Sequence, residues 1–197
     1  MKKLLISGFE PFGGETMNPS WEAVSRLPYQ IGEYTLTKLR IPVEFGKAAQ
    51  AVLDVAEEIY PDVILCIGQA GGRGAICPEL VAINLRYAKI PDNAGLQPKD
   101  EPIVSGAPCA YFSTLPVRQM AEAIADAGVA SQVSYSAGAY VCNDLFYTLL
   151  HRFHNTQTRV GFVHIPYAHE QGKEPSMDMA DMIKGLTVAI EHMESEQ

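Results

Sequence analysis

The stretch Val63-Ile64-Leu65-Cys66-Ile67 is an apolar run that no polar residue interrupts. A run of this length, introduced by Pro61 and closed by Gly68, is typical of a strand that is buried on both faces of a parallel sheet. Cys66 within it is interpreted as a core residue, because free cysteine is among the most buried residue types. The run therefore predicts the centre of an α/β fold.

Predicted strands and helices alternate on both sides of this run. The other predicted strands are Lys2–Ser7, Tyr34–Pro42, Leu80–Leu85, Ala130–Tyr135 and Arg159–Pro166, and the main predicted helices are Phe45–Ile59, Leu115–Ala127, Asp144–Phe153 and Pro175–Met193. Such alternation predicts helices on both faces of a mostly parallel sheet. We therefore expect a single catalytic domain over residues 1–197, a three-layer α/β/α structure with a twisted, largely parallel central sheet.

Composition excludes several classes of function. The chain has 197 residues, of which 47% are hydrophobic and 19% are charged, so it can bury a substantial core. A net charge of −8 without any Lys/Arg run argues against a nucleic-acid binder. No apolar run reaches the ~18 residues of a membrane helix, so no membrane partner is expected.

The cysteines and glycines do not indicate a cofactor. The four cysteines form no CxxC motif and have no zinc spacing with histidine, so no metal is expected. The glycine-rich loop Gly68–Gly74 lacks both the G-x-G-x-x-G spacing and a Gly-Lys-Ser/Thr end, which argues against nucleotide binding. With no disulfide framework and no secretory signal, we expect a reduced cytoplasmic protein that needs no cofactor.

One cysteine occupies a position at which reactivity has a physical cause. The segment Tyr135-Ser-Ala-Gly-Ala-Tyr-Val-Cys-Asn143 leads directly into the predicted helix Asp144–Phe153. Cys142 is therefore expected at the N-terminus of a helix, where partial positive charge and unpaired N–H groups favour a thiolate over a thiol. This position predicts a nucleophile.

A histidine is expected at the same edge of the sheet. His164 lies near the end of the predicted strand Arg159–Pro166. The order strand, helix, strand around Cys142 predicts two parallel strands, whose carboxyl ends lie ~5 Å apart as neighbours or ~10 Å apart with one strand between them. A thiolate beside an imidazole suits attack on an amide or ester. A core histidine that bonds only to backbone is the alternative.

A carboxylate that orients the imidazole would complete a triad. Glu79 stands beside a predicted apolar strand. It joins the site only if the loop before it lies over the same edge of the sheet, and a solvated carboxylate is the alternative.

Short motifs along nearly the whole chain together resemble one known family. They are Gly8–Gly13, Asn18–Ser20, Gly71–Arg73, Glu79 with Val81–Asn84, Ile90–Gly95, Phe112–Val117, Ser136–Asn143 and Gly161–Pro166. Their number and order resemble the type I pyroglutamyl-peptidase family, also called pyrrolidone-carboxylate peptidase, a family of cysteine peptidases.

The resemblance implies an activity and a catalytic triad. In that family the matching cysteine, histidine and glutamate are catalytic, which implies roles for Cys142, His164 and Glu79. The family removes an N-terminal pyroglutamyl residue from peptides through an acyl-enzyme, and its members often form tetramers. The resemblance thus implies that N-terminal pyroglutamyl peptides are substrates and that the protein is a homotetramer.

Pyroglutamate is a neutral, flat lactam, which suits apolar walls and a few hydrogen bonds better than a charged recognition pair. The residues expected to form this pocket are Phe9, Phe12, Ile90, Tyr140 and Val141, with Gln69 as a main-chain hydrogen-bond partner.

Two positions depart from the family pattern. Leu80 stands where the family has an arginine after the glutamate, and Lys89 replaces an arginine that is associated with the oxyanion region. Lysine serves there if a backbone N–H is the oxyanion donor, but it cannot reproduce the planar fork of a guanidinium.

Two other functions stay open at this stage. The chain could be a different thiol amidase on the same scaffold, or a non-catalytic protein that binds pyroglutamyl peptides.

Overall fold

A six-stranded, curled sheet forms the centre of the computed structural model, which describes residues 1–194. Its strands, taken across the sheet, are β2 (Gln30–Ile31), β3 (Tyr34–Ile41), β1 (Lys2–Phe9), β4 (Val63–Gln69), β8 (Arg159–Ile165) and β5 (Cys77–Pro78). The four strands from β3 to β8 are parallel to one another. The short edge strands β2 and β5 are antiparallel to their neighbours.

Helices cover both faces of this sheet. They are α1 (Pro19–Arg26), α2 (Lys47–Ile59), α3 (Val117–Asp126), α4 (Val141–Phe153) and α5 (Met179–Glu191), with a 3₁₀ helix at His169–Gln171. The helices α2 and α4 pack in one apolar core, and α1, α3 and α5 pack in the other. The predicted α/β class with a largely parallel sheet is therefore confirmed. Within residues 1–194, no helix combines the length and apolarity that a membrane span requires.

The strand β4 contributes side chains to both apolar cores, as its uninterrupted apolar sequence predicts. Val63, Leu65 and Ile67 face the core of α1, α3 and α5, whereas Ile64 and Cys66 face the core of α2 and α4. All five side chains have no exposed surface. Burial of each large aliphatic side chain contributes about 1.5–3 kcal/mol, so this strand fixes the position of its own carboxyl end.

Four short strands lie outside the central sheet. β6 (Val81–Ile83) pairs with β7 (Ala110–Phe112), and β9 (Tyr167–Ala168) pairs with β10 (Ser176–Met177). The apolar run Leu80–Leu85 thus forms a short antiparallel pair and is not a strand of the parallel sheet.

Two predicted elements differ from the structure. Ala130–Tyr135 is not a strand: only isolated bridges join Ser131 to Ile76 and Ser134 to Glu79. It runs beside β5 at the edge of the sheet, so the parallel neighbour of β8 is β4. The last helix begins at Met179 and not at Pro175, because Asp178 caps it by accepting a hydrogen bond from the Ala180 N–H at 2.7 Å.

Candidate active site

The short edge strand β5 brings Glu79 to His164. It runs antiparallel to β8, with Cys77 opposite His164. Glu79, the residue that follows β5, donates its backbone N–H to the Phe162 carbonyl at 2.9 Å. Because Phe162 and His164 are two residues apart in one strand, their side chains project from the same face of the sheet. The Glu79 side chain, which lies opposite Phe162, therefore projects beside the imidazole.

The contact between Glu79 and His164 determines which ring nitrogen of a neutral imidazole carries the proton. Glu79 Oε1 lies 2.6 Å from His164 Nδ1, and both side chains are buried. Burial alone would raise the pKa of the Glu79 carboxyl, but the hydrogen bond from His164 and the charges of His164 and Arg73 hold that pKa below its usual value. An ionised carboxylate only accepts hydrogen bonds. The proton of a neutral His164 is therefore on Nδ1, and Nε2 is free to accept another proton.

Cys142 lies in the first turn of α4, directly over the sheet. Gly68 in β4 is the register partner of His164 in β8, so the two residues are ~5 Å apart. A Cβ atom placed on Gly68 would lie 3.0 Å from Cys142 Sγ and 2.8 Å from the Phe162 ring. The sulfur therefore lies against the backbone of Gly68, the register partner of His164, in space that a larger residue at position 68 would fill.

The first turn of α4 is held in place by its polar residues. The Asn143 side chain donates to the carbonyls of Ile83 and Leu85, at 2.9 and 3.1 Å, and accepts from the Ile83 N–H at 3.0 Å. Asp144 accepts from the Gly46 N–H at 2.8 Å and pairs with Arg86 at 2.6 Å. These buried contacts fix the direction from which Cys142 approaches the sheet.

The same turn has N–H groups available for an anion. The first N–H groups of a helix have no partner within the helix. The side chain of the N-cap residue Tyr140 makes no capping hydrogen bond, and its hydroxyl donates instead to the Pro91 carbonyl at 3.1 Å. The Cys142 N–H belongs to this first turn and is a candidate donor to an anion beside the sulfur.

Burial, however, outweighs the effect of the helix N-terminus on the thiol. Burial, with a smaller contribution from the charge of Glu79, raises the pKa of Cys142 to about 12. Burial therefore opposes the thiolate that the position at the helix N-terminus predicts. A pKa of about 12 corresponds to a thiol that is protonated at neutral pH, so a base would have to remove its proton before the sulfur could attack. His164, the register partner of Gly68, is the candidate for that base.

This protonation state predicts how alkylation depends on pH. Below its pKa, the thiolate fraction rises tenfold with each pH unit, so the rate at which iodoacetamide modifies Cys142 should rise about tenfold per unit between about pH 6 and about pH 9. The measurement is the labelling rate of the Cys142 peptide by mass spectrometry. A Cys109→Ser variant serves as the background, because Cys109 is an exposed competing thiol. A rate that is flat below about pH 8 would show a resting thiolate instead.

A small apolar cavity opens beside the Cys142 sulfur. Its lining residues are Phe9, Phe12, Asn18, Val43, Gln69, Tyr140, Val141 and Cys142. The Phe12 and Tyr140 rings have centroids 6.4 Å apart, and Phe45 supports Tyr140 edge-on at 5.3 Å. The Gln69 side chain is itself held, because its Oε1 accepts from Gln171 at 3.0 Å. The cavity thus has two tilted aromatic walls, with Cys142 among its lining residues.

Two of the predicted pocket and oxyanion residues lie elsewhere. Ile90 is half exposed and does not line the cavity as described for residues 1–194. Lys89 also has an exposed side chain, and its backbone carbonyl accepts from Gln97 at 3.0 Å. Neither side chain lines the cavity beside Cys142 as it is described for residues 1–194.

Three residues of the site are not among the predicted ones. Asn18 lines the cavity and caps α1 through a 3.1 Å hydrogen bond from the Ser20 N–H. In the sequence, Asn18 is recognised only as the start of a helix. Val43 follows β3 and carries no distinguishing signal. Arg73 contacts Glu79 at 2.9 Å, and its only sequence signal was its place in a glycine-rich motif.

Comparison with known proteins identifies the family of the chain. The family model described as pyroglutamyl peptidase matches residues 2–196. The chain is 50% identical to the pyrrolidone-carboxylate peptidase of Levilactobacillus brevis over 194 residues, covering 95% of each protein. It is 47% identical to the protein of the same name from Erwinia tasmaniensis, covering 96% of this chain and 92% of that one.

Solved structures show the same fold. Pyroglutamyl peptidase I of Bacillus amyloliquefaciens superposes with a TM-score of 0.93 at 44% identity, over 98% of this chain and 97% of that one. The pyrrolidone carboxyl peptidase of Thermococcus litoralis gives 0.92 at 37% identity, over 98% and 93% of the two chains. The resemblance in the sequence motifs is thereby confirmed.

Proposed function

The chain belongs to the pyroglutamyl peptidase family and is a pyroglutamyl-peptide hydrolase, and we propose that Cys142, His164 and Glu79 carry out its reaction within one catalytic domain over residues 1–197. One juxtaposition supports this assignment. The Cys142 sulfur lies over the backbone of Gly68. Gly68 is the register partner of His164, whose Nδ1 lies 2.6 Å from the buried carboxylate of Glu79.

The proposed first step forms an acyl-enzyme. The Cys142 sulfur attacks the α-carbonyl carbon of the pyroglutamyl residue while its proton moves to His164 Nε2. Glu79 stabilises the imidazolium that results, and the Cys142 N–H donates to the oxyanion. The tetrahedral intermediate then collapses, the C–N bond breaks, and the imidazolium gives its proton to the leaving amine. Pyroglutamate remains as a thioester on Cys142.

The second step hydrolyses this thioester. His164 Nε2, now unprotonated, takes a proton from water as the water oxygen attacks the thioester carbonyl. The second tetrahedral intermediate expels the Cys142 sulfur, which regains the proton from His164. Pyroglutamic acid is released, and the resting thiol is restored.

The cavity explains why a lactam is the acyl group. None of its lining residues is acidic, so the free α-ammonium of an ordinary N-terminal residue would lose its hydration without gaining a counter-charge. The lactam carries no charge, and its flat ring fits between tilted aromatic walls. We propose that Phe9, Phe12, Tyr140 and Val141 contact the ring and that Gln69 supplies a hydrogen bond.

A panel of amides tests this function. Under reducing conditions, the purified protein should release a fluorescent amine from its pyroglutamyl amide at least about 100-fold faster than from the glutaminyl, glutamyl or prolyl amide, because the last three carry an ammonium group. Equal rates across the panel would indicate another thiol amidase on this scaffold. Binding of a pyroglutamyl peptide without release of amine would indicate a non-catalytic binder.

We further propose that the protein acts as a cytoplasmic homotetramer. Family resemblance supports the tetramer. A reducing compartment would keep the Cys142 thiol free, and all four cysteines are unpaired in the structure. Light scattering that gave the 21.5 kDa mass of one chain would contradict the tetramer.

A further inference from the structure

Arg73 reaches the buried carboxylate from the loop between β4 and β5. Its Nη1 donates to Glu79 Oε1 at 2.9 Å and to Ser134 Oγ at 3.0 Å, and its Nη2 donates to the Ser136 carbonyl at 3.0 Å. One guanidinium thus joins the carboxylate that contacts His164 to the segment that leads into α4. No step of the mechanism derived above uses this residue.

The loop that carries Arg73 is closely packed. A Cβ atom on Gly71 would lie 2.1 Å from the Tyr167 hydroxyl, so Tyr167 presses directly on the loop backbone. Gly72 has a φ of +82°, a conformation that glycine adopts without strain. The backbone next to Arg73 is therefore packed against Tyr167.

The hydrogen bonds of the Glu79 carboxylate are asymmetric. Oε1 accepts from both Arg73 and His164, whereas Oε2 is buried without a hydrogen-bond partner within residues 1–194. Two donors that converge on one oxygen prevent rotation of the carboxylate, because rotation would break two charge-assisted hydrogen bonds at once. Arg73 thereby keeps Oε1 aimed at His164 Nδ1.

The charge of Arg73 also acts on Glu79. Burial favours the neutral acid. The hydrogen bond and charge of His164, a hydrogen bond from Ser134 and the smaller effect of the Arg73 charge oppose it and lower the pKa of Glu79. During catalysis the imidazole is neutral for part of each cycle. A guanidinium stays charged at every step, so it maintains the carboxylate when the imidazole carries no charge.

We propose that Arg73 is a positioning residue, which holds Glu79 ionised and aimed at His164 so that the imidazole keeps the tautomer able to accept the Cys142 proton. This inference rests on the proposed function of the Cys142, His164 and Glu79 triad. It differs from a purely structural role, in which Arg73 would only connect two surface loops.

Two substitutions and a pH profile separate these roles. Arg73→Ala should lower kcat for the pyroglutamyl amide about 10- to 100-fold, the range expected for loss of a hydrogen bond to a charged group. KM should change little, because Arg73 does not line the cavity. The acidic limb of the kcat profile should move to higher pH. Arg73→Lys should have a rate between those of wild type and Arg73→Ala. Added guanidinium should restore activity to Arg73→Ala, whereas sodium chloride at the same ionic strength should not.

A second readout does not depend on turnover. The titration of Glu79, followed by NMR of protein labelled at the glutamate carboxyl carbon and assigned with Glu79→Gln, should shift to higher pH in Arg73→Ala. Arg118→Ala is the control, because Arg118 is an exposed arginine whose side chain contacts the Tyr135 hydroxyl and ring. An unchanged Glu79 titration, or a loss of kcat without a shift of the acidic limb, would overturn the proposal. If the wild-type protein released no amine, the proposed function would fail, and the NMR titration would still decide the role of Arg73.

Discussion

Replacement of Cys142 by alanine is expected to lower kcat/KM for a pyroglutamyl amide at least about 10⁴-fold, as loss of the nucleophile does in other covalent hydrolases. Without the sulfur no acyl-enzyme forms, and the oxyanion donors alone support little turnover. The fold should be retained, because the Cys142 side chain lies at the cavity and the first turn of α4 is held by Asn143. Initial rates and thermal unfolding of the two proteins provide the measurement.

Two variants control this experiment. Cys142→Ser keeps the shape of the side chain but replaces a thiol with a far less acidic hydroxyl, so its rate should also fall by several orders of magnitude. Cys109→Ser, at an exposed thiol outside the cavity, should leave the rate unchanged. A Cys142→Ala variant that keeps even a tenth of the wild-type rate would assign the nucleophile to another residue.

The fold could be predicted from the sequence wherever local pattern and burial agree. The run from Val63 to Ile67 is apolar because both of its faces are covered, and the structure places it between two cores. The helix predicted over Phe45–Ile59 is observed as Lys47–Ile59 for the same reason, since its buried alanines and Val52 recur at helical spacing. The local sequence of a long periodic segment is thus enough to predict its secondary structure.

Glu79 shows what the sequence could not reveal. The strand that positions it, Cys77–Pro78, has two residues and therefore no periodicity. It pairs antiparallel with β8, whereas the apolar runs predict parallel strands. The strand predicted at Ala130–Tyr135 is wrong for a related reason. That segment pairs with Ile76 and Glu79 only through bridges at single residues, which its own sequence does not reveal. Contacts between residues far apart in sequence decide both cases.

The protonation state of Cys142 depends on two opposing effects, of which the sequence reveals only one. A cysteine at a helix start signals stabilisation of the thiolate. The opposing effect combines desolvation by the surrounding protein with the negative charge of Glu79, which is far from Cys142 in sequence. In the structure desolvation dominates and raises the pKa of Cys142 to about 12. The pocket illustrates the same limit, because Phe12 and Tyr140 line it whereas Ile90 points to solvent.

Glu79→Gln is expected to lower kcat about 10³- to 10⁴-fold with a smaller change in KM. The estimate follows from serine proteases, in which an amide in place of the triad carboxylate leaves the geometry intact but holds the wrong imidazole tautomer. Here the amide NH₂ group can donate to His164 Nδ1, which moves the proton to Nε2, the atom that must accept the Cys142 proton. Steady-state rates on the pyroglutamyl amide test this, with Glu122→Gln on the exposed surface of α3 as the control. A loss of less than about tenfold would remove Glu79 from the catalytic groups.

The same substitution should change how stability depends on pH. The pKa of Glu79 is lower in the folded protein than its usual value of 4.5. A carboxyl of this kind stabilises the fold above about pH 4.5, and that contribution is lost as the pH falls through the folded-state pKa. Glu79→Gln removes the contribution and leaves Arg73 without its carboxylate partner, so the variant should be less stable than wild type at pH 7. Denaturant unfolding at several pH values should show this gap narrowing below about pH 4.5. A gap that is independent of pH would mean that Glu79 contributes through packing and not through the charge that orients His164.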